Sequence, residues 1–155
     1  MRLAASLLLL AIACSTERRA GKARDTTTAI LRQTPDSLAV QVRGPTMIAF
    51  YPNAPQAQVD SSEELSTVLD DFSFHLSTAR DSLTAQGFTT VERPGRSFTV
   101  VEGSQARTIA AALDSADVGY VLVAPGRRDR FYYGVMTNSD LIEMAHRFLS
   151  ETPLR

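Results

Sequence analysis

One long apolar stripe limits what this chain can fold into. Leu65, Val68, Leu69, Phe72, Leu76, Ala79 and Leu83 recur at steps of three and four, the spacing of one face of a helix. Ser61 ahead of the stripe and Glu64 three residues later predict a capping box. Gly87 after it predicts the C-terminal stop. The result is a helix of about 25 residues, some 37 Å long. It lies between a continuous apolar run over 46–51 and a strand-like run over 88–92. A helix set between strands implies some parallel pairing and places the chain in the α/β (α+β) class.

The remaining elements follow the same reading. Residues 37–42 alternate, with Leu38, Val40 and Val42 apolar, and Gly44-Pro45 separates them from the next strand. Strands over 88–92 and 97–102 meet at Arg93-Pro94-Gly95-Arg96, a turn sequence. Residues 106–113 are rich in alanine and predict a short helix, with Glu102-Gly103-Ser104-Gln105 as the loop into it. Residues 118–124 are a buried-strand run, and Pro125 to Asp129 turns it into a strand over 130–136. A final helix begins near Thr137 and Asp140, runs on Leu141, Ile142, Ala145, Phe148 and Leu149, and stops at Pro153. The expected order is β, β, α, β, β, α, β, β, α, in one globular domain over 36–155.

Ahead of that domain, Arg2 precedes an apolar run over 3–13, and the chain's only cysteine, Cys14, follows at once. Eleven residues are too few to span a bilayer, which takes about 20. They have the length of a cleaved export signal. Ala11-Ile12-Ala13-Cys14 resembles the lipobox of bacterial lipoproteins, departing from it at Ala11, where leucine is usual. The resemblance implies a signal peptide over 1–13, cleavage between Ala13 and Cys14, and acylation of Cys14. It also implies an anchor in the lipid bilayer of the cell envelope, facing the periplasm. Ser15 replaces the aspartate that signals inner-membrane retention, which favours the outer membrane. Three other readings fit the same residues: an ordinary secretory cleavage site, an uncleaved anchor and a mistaken start.

Residues 14–35 then read as the lipidated cysteine and a polar linker. From 15 to 35 it carries five basic and two acidic residues, net +3, whereas 36–155 carries ten basic and 15 acidic, net −5. Beside a bilayer, a basic tether gains about 1 kcal/mol per charge near anionic headgroups; the same charges also serve simply to keep a linker solvated. An acidic domain excludes nucleic acid as the expected partner.

Residues 45–151 resemble a thioredoxin-like domain. Pro45-Thr46-Met47-Ile48-Ala49-Phe50-Tyr51-Pro52 is similar to the strand that leads into that family's active-site loop. Residues 118–126, Tyr133-Gly134-Val135 and the helix from Thr137 are similar to its terminal strand, hairpin and helix. The resemblance implies a three-layer sandwich, a central mixed sheet flanked by helices. Yet residues 52–60, Pro-Asn-Ala-Pro-Gln-Ala-Gln-Val-Asp, contain no cysteine, and Val118-Gly119-Tyr120 stands where the family has a cis-proline. Thiol–disulfide exchange needs a thiolate to attack and a second thiol to resolve, so within this resemblance that activity is excluded.

Other chemistry has thin support. The two histidines, His75 and His146, lack neighbours at metal-ligand spacing, and no Gly-x-Ser-x-Gly elbow occurs. Asp70-Asp71 and Glu63-Glu64 are adjacent on a helix and point apart. No catalytic residue, cofactor or metal is expected. The candidate binding surface has two parts. Tyr51, Pro52, Asn53 and Pro55 begin a long loop beyond a strand end, with Tyr120 expected nearby. Arg127, Arg128 and Arg130, if at the same end of the sheet as Arg93 and Arg96, would form a positive patch for carboxylate or phosphate. The expected function is a non-catalytic binding or assembly module for an envelope protein partner. The alternatives are a carrier of a small ligand or peptide in a pocket of Tyr51, Tyr120 and Tyr132, and a hydrolytic enzyme with an unrecognised site.

Overall fold

The structure is a computed structural model and describes residues 39–112 and 117–153. The export signal, Cys14 and the linker lie outside the described residues. Strand β1 (Val40–Val42) leads through Gly44-Pro45 into β2 (Thr46–Tyr51). Two helices follow, α1 (Gln56–Ser61) and α2 (Glu63–Ala85). Then come β3 (Thr89–Pro94), β4 (Ser97–Glu102), β5 (Gln105–Ala110), β6 (Gly119–Val123), β7 (Arg130–Tyr133) and α3 (Asn138–Ser150).

These strands form two sheets. The four-stranded sheet has the order β3-β2-β6-β7, and the three-stranded sheet has the order β1-β4-β5. The helix between β2 and β3 makes them parallel neighbours, with Thr46 opposite Thr89 and Tyr51 opposite Pro94. On its other side β2 pairs antiparallel with β6, Thr46 opposite Val123 and Phe50 opposite Gly119.

Every residue of β2 and β6 is buried, as continuous apolar runs demand when both faces of a sheet are covered. Met47, Ala49, Tyr51, Tyr120 and Leu122 pack on Leu69, Phe72, Leu76 and Leu83 of α2 and on Leu141, Met144, Ala145 and Phe148 of α3. The alternate residues Ile48, Phe50, Val121 and Val123 pack on Val40, Val42, Phe98, Val100, Ile109 and Ala111. The layers are therefore helices, four-stranded sheet, three-stranded sheet. Three layers and a mixed central sheet agree with expectation, but helices cover only one face, and a second sheet covers the other.

That difference comes from 106–113, where the expected helix is instead strand β5. Gly103 and Ser104 form a two-residue hairpin loop between Glu102 and Gln105, which are paired across it. Gly103 has φ +61°, and among the described residues none but glycine has a positive φ, the Gly-first pattern of a type II′ turn. Ile109 and Ala111 then point into the core between the sheets. Burial of these two side chains, together with a six-pair ladder to β4, outweighs alanine's helix propensity, a few tenths of a kcal/mol per residue.

Helix α2 starts one residue later than its sequence suggests. Its cap is Ser62, whose hydroxyl accepts from the Leu65 amide at 3.2 Å. Ser61 instead ends α1 and donates to the Gln58 carbonyl, so the Ser61–Glu64 capping box does not form. Ser73, off the apolar stripe, is nevertheless buried. At the far end Gly87, φ +87°, sits where expected. Its N–H donates to Thr84 and that of Phe88 to Leu83, the paired bonds of a Schellman motif, with Phe88 and Leu83 buried in the same core. Helix α3 has the full capping box, with Thr137 and Asp140 exchanging backbone and side-chain bonds. Strand β7 is shorter than expected, ending at Tyr133, and α1 occupies part of what reads as an extended loop after Tyr51.

Candidate functional site

Strand directions divide the molecule into two ends. The upper end holds the C-terminal ends of β2, β3 and β7, the N-terminal end of β6 and the starts of α2 and α3. Arg93 and Arg96 fall there. The turn carrying Arg127, Arg128 and Arg130 follows β6, which runs antiparallel to β2, so it lies at the lower end. The two arginine turns do not share an end of the sheet, and the single positive patch does not form.

Most of these arginines are tied into the fold, each by a different contact. Arg127 grips the end of α3: Nη1 donates to the carbonyls of Phe148 at 2.8 Å and Glu151, and Nη2 to that of Leu149 at 3.0 Å. Its guanidinium carbon also stands 5.6 Å over the Phe148 ring. Arg130 donates through Nε and Nη2 to the Glu151 carboxylate at 3.1 and 2.9 Å. That hydrogen bond, then the charge of Glu151, holds the Arg130 guanidinium above its ordinary value. These two residues satisfy carbonyls and a charge at a helix C-terminus, where cations are favoured. Arg128 is exposed. Arg96 donates to the Ala112 carbonyl and faces Asp117. Arg107, which sequence reasoning did not single out, makes a two-pronged bond to Asp129 with Glu102 beyond it. The bond to Asp129 raises its guanidinium above the ordinary value, against an opposing effect of burial.

The aromatic part of the candidate surface turns inward. Tyr120 is fully buried, and Tyr51 is 4% exposed. Phe72 lies between them, stacked on Tyr120 at 5.2 Å between centroids and tilted against Tyr51 at 6.4 Å. Burial pushes the Tyr120 phenol well above the usual tyrosine range, and the nearby Met136 backbone pulls it partway back. Tyr132 is partly buried against the same core. A pocket lined by Tyr51, Tyr120 and Tyr132 is therefore filled by the protein's own side chains. Gly119 shows how tight this end is: a Cβ there would meet the Phe50 ring and come within 2.5 Å of the Tyr132 carbonyl oxygen.

What stays at the surface is the edge of the loop. Asn53 and Pro55 are exposed, with Pro52 half-buried between Tyr51 and Asn53. Val59 of α1 is the one residue of that helix that is buried, and it plugs the helix into the core. The histidines lie on different helices: His75 is half-buried on α2, and His146 is exposed on α3. Among the described residues no three His, Cys, Asp or Glu side chains group to hold a metal, and no helix is long and apolar enough to cross a membrane. No family model, no curated protein and no solved structure matches this chain.

Proposed function

We propose that this chain is a lipid-anchored envelope protein whose domain, thioredoxin-like in arrangement, binds a protein partner and carries no redox chemistry. The observation that carries the fold reading is an adjacency. The strand resembling the approach to an active-site loop, β2, lies beside β6 over five register pairs. Strand β6 continues into β7 as a hairpin and then into α3, which packs back on the helix face. These are the two stretches on which the resemblance rests, brought together across some 70 residues of chain.

The loop beyond β2 supports a binding role over a redox one. Where the family carries its thiols, this chain places Pro52, Asn53 and Pro55 and then the short α1, a surface of main chain, amide and proline rings. Residues of this kind recognise a partner by shape and hydrogen bonding and offer no nucleophile. The anchor at Cys14 and the basic linker are the features that would hold such a module at a membrane.

The test is partner capture. The natively expressed protein is crosslinked in intact cells, the envelope is solubilised, and co-purifying proteins are identified for wild type and for Cys14→Ser. The expected result is an envelope protein recovered with wild type and lost with Cys14→Ser. Identical sets from both forms, or none from either, would end the tethered-module reading.

A further inference from the structure

Sheet edges are where one chain can add to another, and proteins guard them with charge, proline or shortness. Of the four edges of the two sheets among the described residues, three are guarded. Strand β1 is three residues long. Strand β3 ends in Glu92, Arg93 and Pro94. Strand β5 carries a charge in mid-strand, Arg107, and no aromatic side chain. Strand β7 differs. Its one charge, Arg130, stands at its first position, and the rest of it is Phe131, Tyr132 and Tyr133.

The backbone of β7 has a defined open side. The Gly134 N–H donates to the Val118 carbonyl at 2.8 Å, and Tyr132 faces Tyr120 across the ladder. Antiparallel bonding alternates along a strand, so residues 130, 132 and 134 bond inward to β6. The N–H and C=O groups of Phe131 and Tyr133 point away from β6. Their side chains share one face, stacked with ring planes 16° apart, and each is 37% exposed.

We propose that β7 pairs antiparallel with β7 of a second copy of this chain, about a two-fold axis at Tyr132. In that register Phe131 lies opposite Tyr133 of the second copy, and Tyr133 opposite its Phe131. All four outward groups of each strand gain a partner. Aromatic side chains meet directly opposite one another, the kind of cross-strand pair that stabilises a sheet. Arg130 meets Gly134 of the second copy, so no like charges face each other. The segment is thus complementary to itself, which is what a two-fold interface requires, and the product is a continuous eight-stranded sheet. The exposed parts of the two rings amount to roughly 150 Å² per copy, a small patch beside the ~800 Å² per partner of a stable complex. The association is accordingly a weak, reversible one, to be sought at concentrations from about 10 μM to about 1 mM.

Sedimentation equilibrium of the full chain over that range decides it. The expected result is a mass rising toward two copies. Phe131→Pro removes one outward donor and leaves the inward ladder intact, as proline on an edge strand allows; it should remain a monomer with unchanged circular dichroism. Phe131→Lys should do the same and serves if the proline variant does not fold. Phe74→Ser, at a phenylalanine 64% exposed on α2, should leave the dimer intact. A monomer at every concentration would overturn the proposal. So would a dimer that survives both Phe131 substitutions, or one lost equally with Phe74→Ser.

Discussion

Tyr120 shows how much a single side chain commits here. Its ring is stacked on Phe72 in the helix-side core, and its hydroxyl is removed from water. Burial favours the neutral phenol, so the folded state holds this proton more tightly than the unfolded chain does. Below the ordinary tyrosine value of 10.0 both states are protonated and the stability is fully present. Above it the unfolded chain loses its proton first, and stability falls as pH rises. Urea unfolding followed from about pH 8 to about pH 11 should show that decline in wild type, and Tyr120→Phe should flatten it. An equal slope in both proteins would mean that another group sets the alkaline limit.

The elements divide by the kind of signal that specifies them. Strands β2, β4 and β6 and the two long helices carry their own patterns, and each stands within a residue or two of where its pattern places it. Strand β5 does not. Residues 106–113 favour helix by composition, and the decisive information is nonlocal: β4 lies one Gly-Ser turn away and a sheet lies beneath. Thr108 and Ile109, β-branched and adjacent, were the local trace of that outcome. Helix α1 left still less to read, with one buried residue and no side-chain cap. The boundary between α1 and α2 turned on two neighbouring serines of equal propensity. There the geometry makes a sharp statement. Ser62→Ala should cost about 1 kcal/mol in unfolding free energy, and Ser61→Ala only a few tenths. Chemical denaturation of the two variants separates them, and the reverse ranking would return the cap to Ser61.

At the scale of the molecule, the candidate surface was legible only in part. Loop residues Asn53 and Pro55 are exposed and Pro52 is half-buried. Tyr51 and Tyr120 were drawn inward because β2 and β6 are covered on both faces, a property of the layers and not of either strand. The arginine turns parted because β6 runs antiparallel to β2. What the lower turn does instead is join distant parts of the chain, since Arg127 links the end of β6 to the last turn of α3. Removing it strands three carbonyls at a helix terminus. Arg127→Ala should therefore destabilise the fold by about 2 kcal/mol, and Arg127→Lys should not restore it, because an ammonium lacks the planar fork that reaches all three. Thermal melts of the two variants check this, and a fully stable lysine variant would show that charge alone suffices.

The placement of β1 has a mechanical consequence. It is the first described strand, it runs away from the upper end, and it is bonded to the second half of β4 in parallel, with Val40, Gln41 and Val42 beside Val100, Val101 and Glu102. Val40 and Val42 are sunk between the sheets. A pull on the chain ahead of Val40 along this axis is directed down the length of the strand. All three pairs then carry the load together in shear, and none can be peeled away before the next. Tension applied along that axis from the N-terminal side meets the strand in its strongest direction.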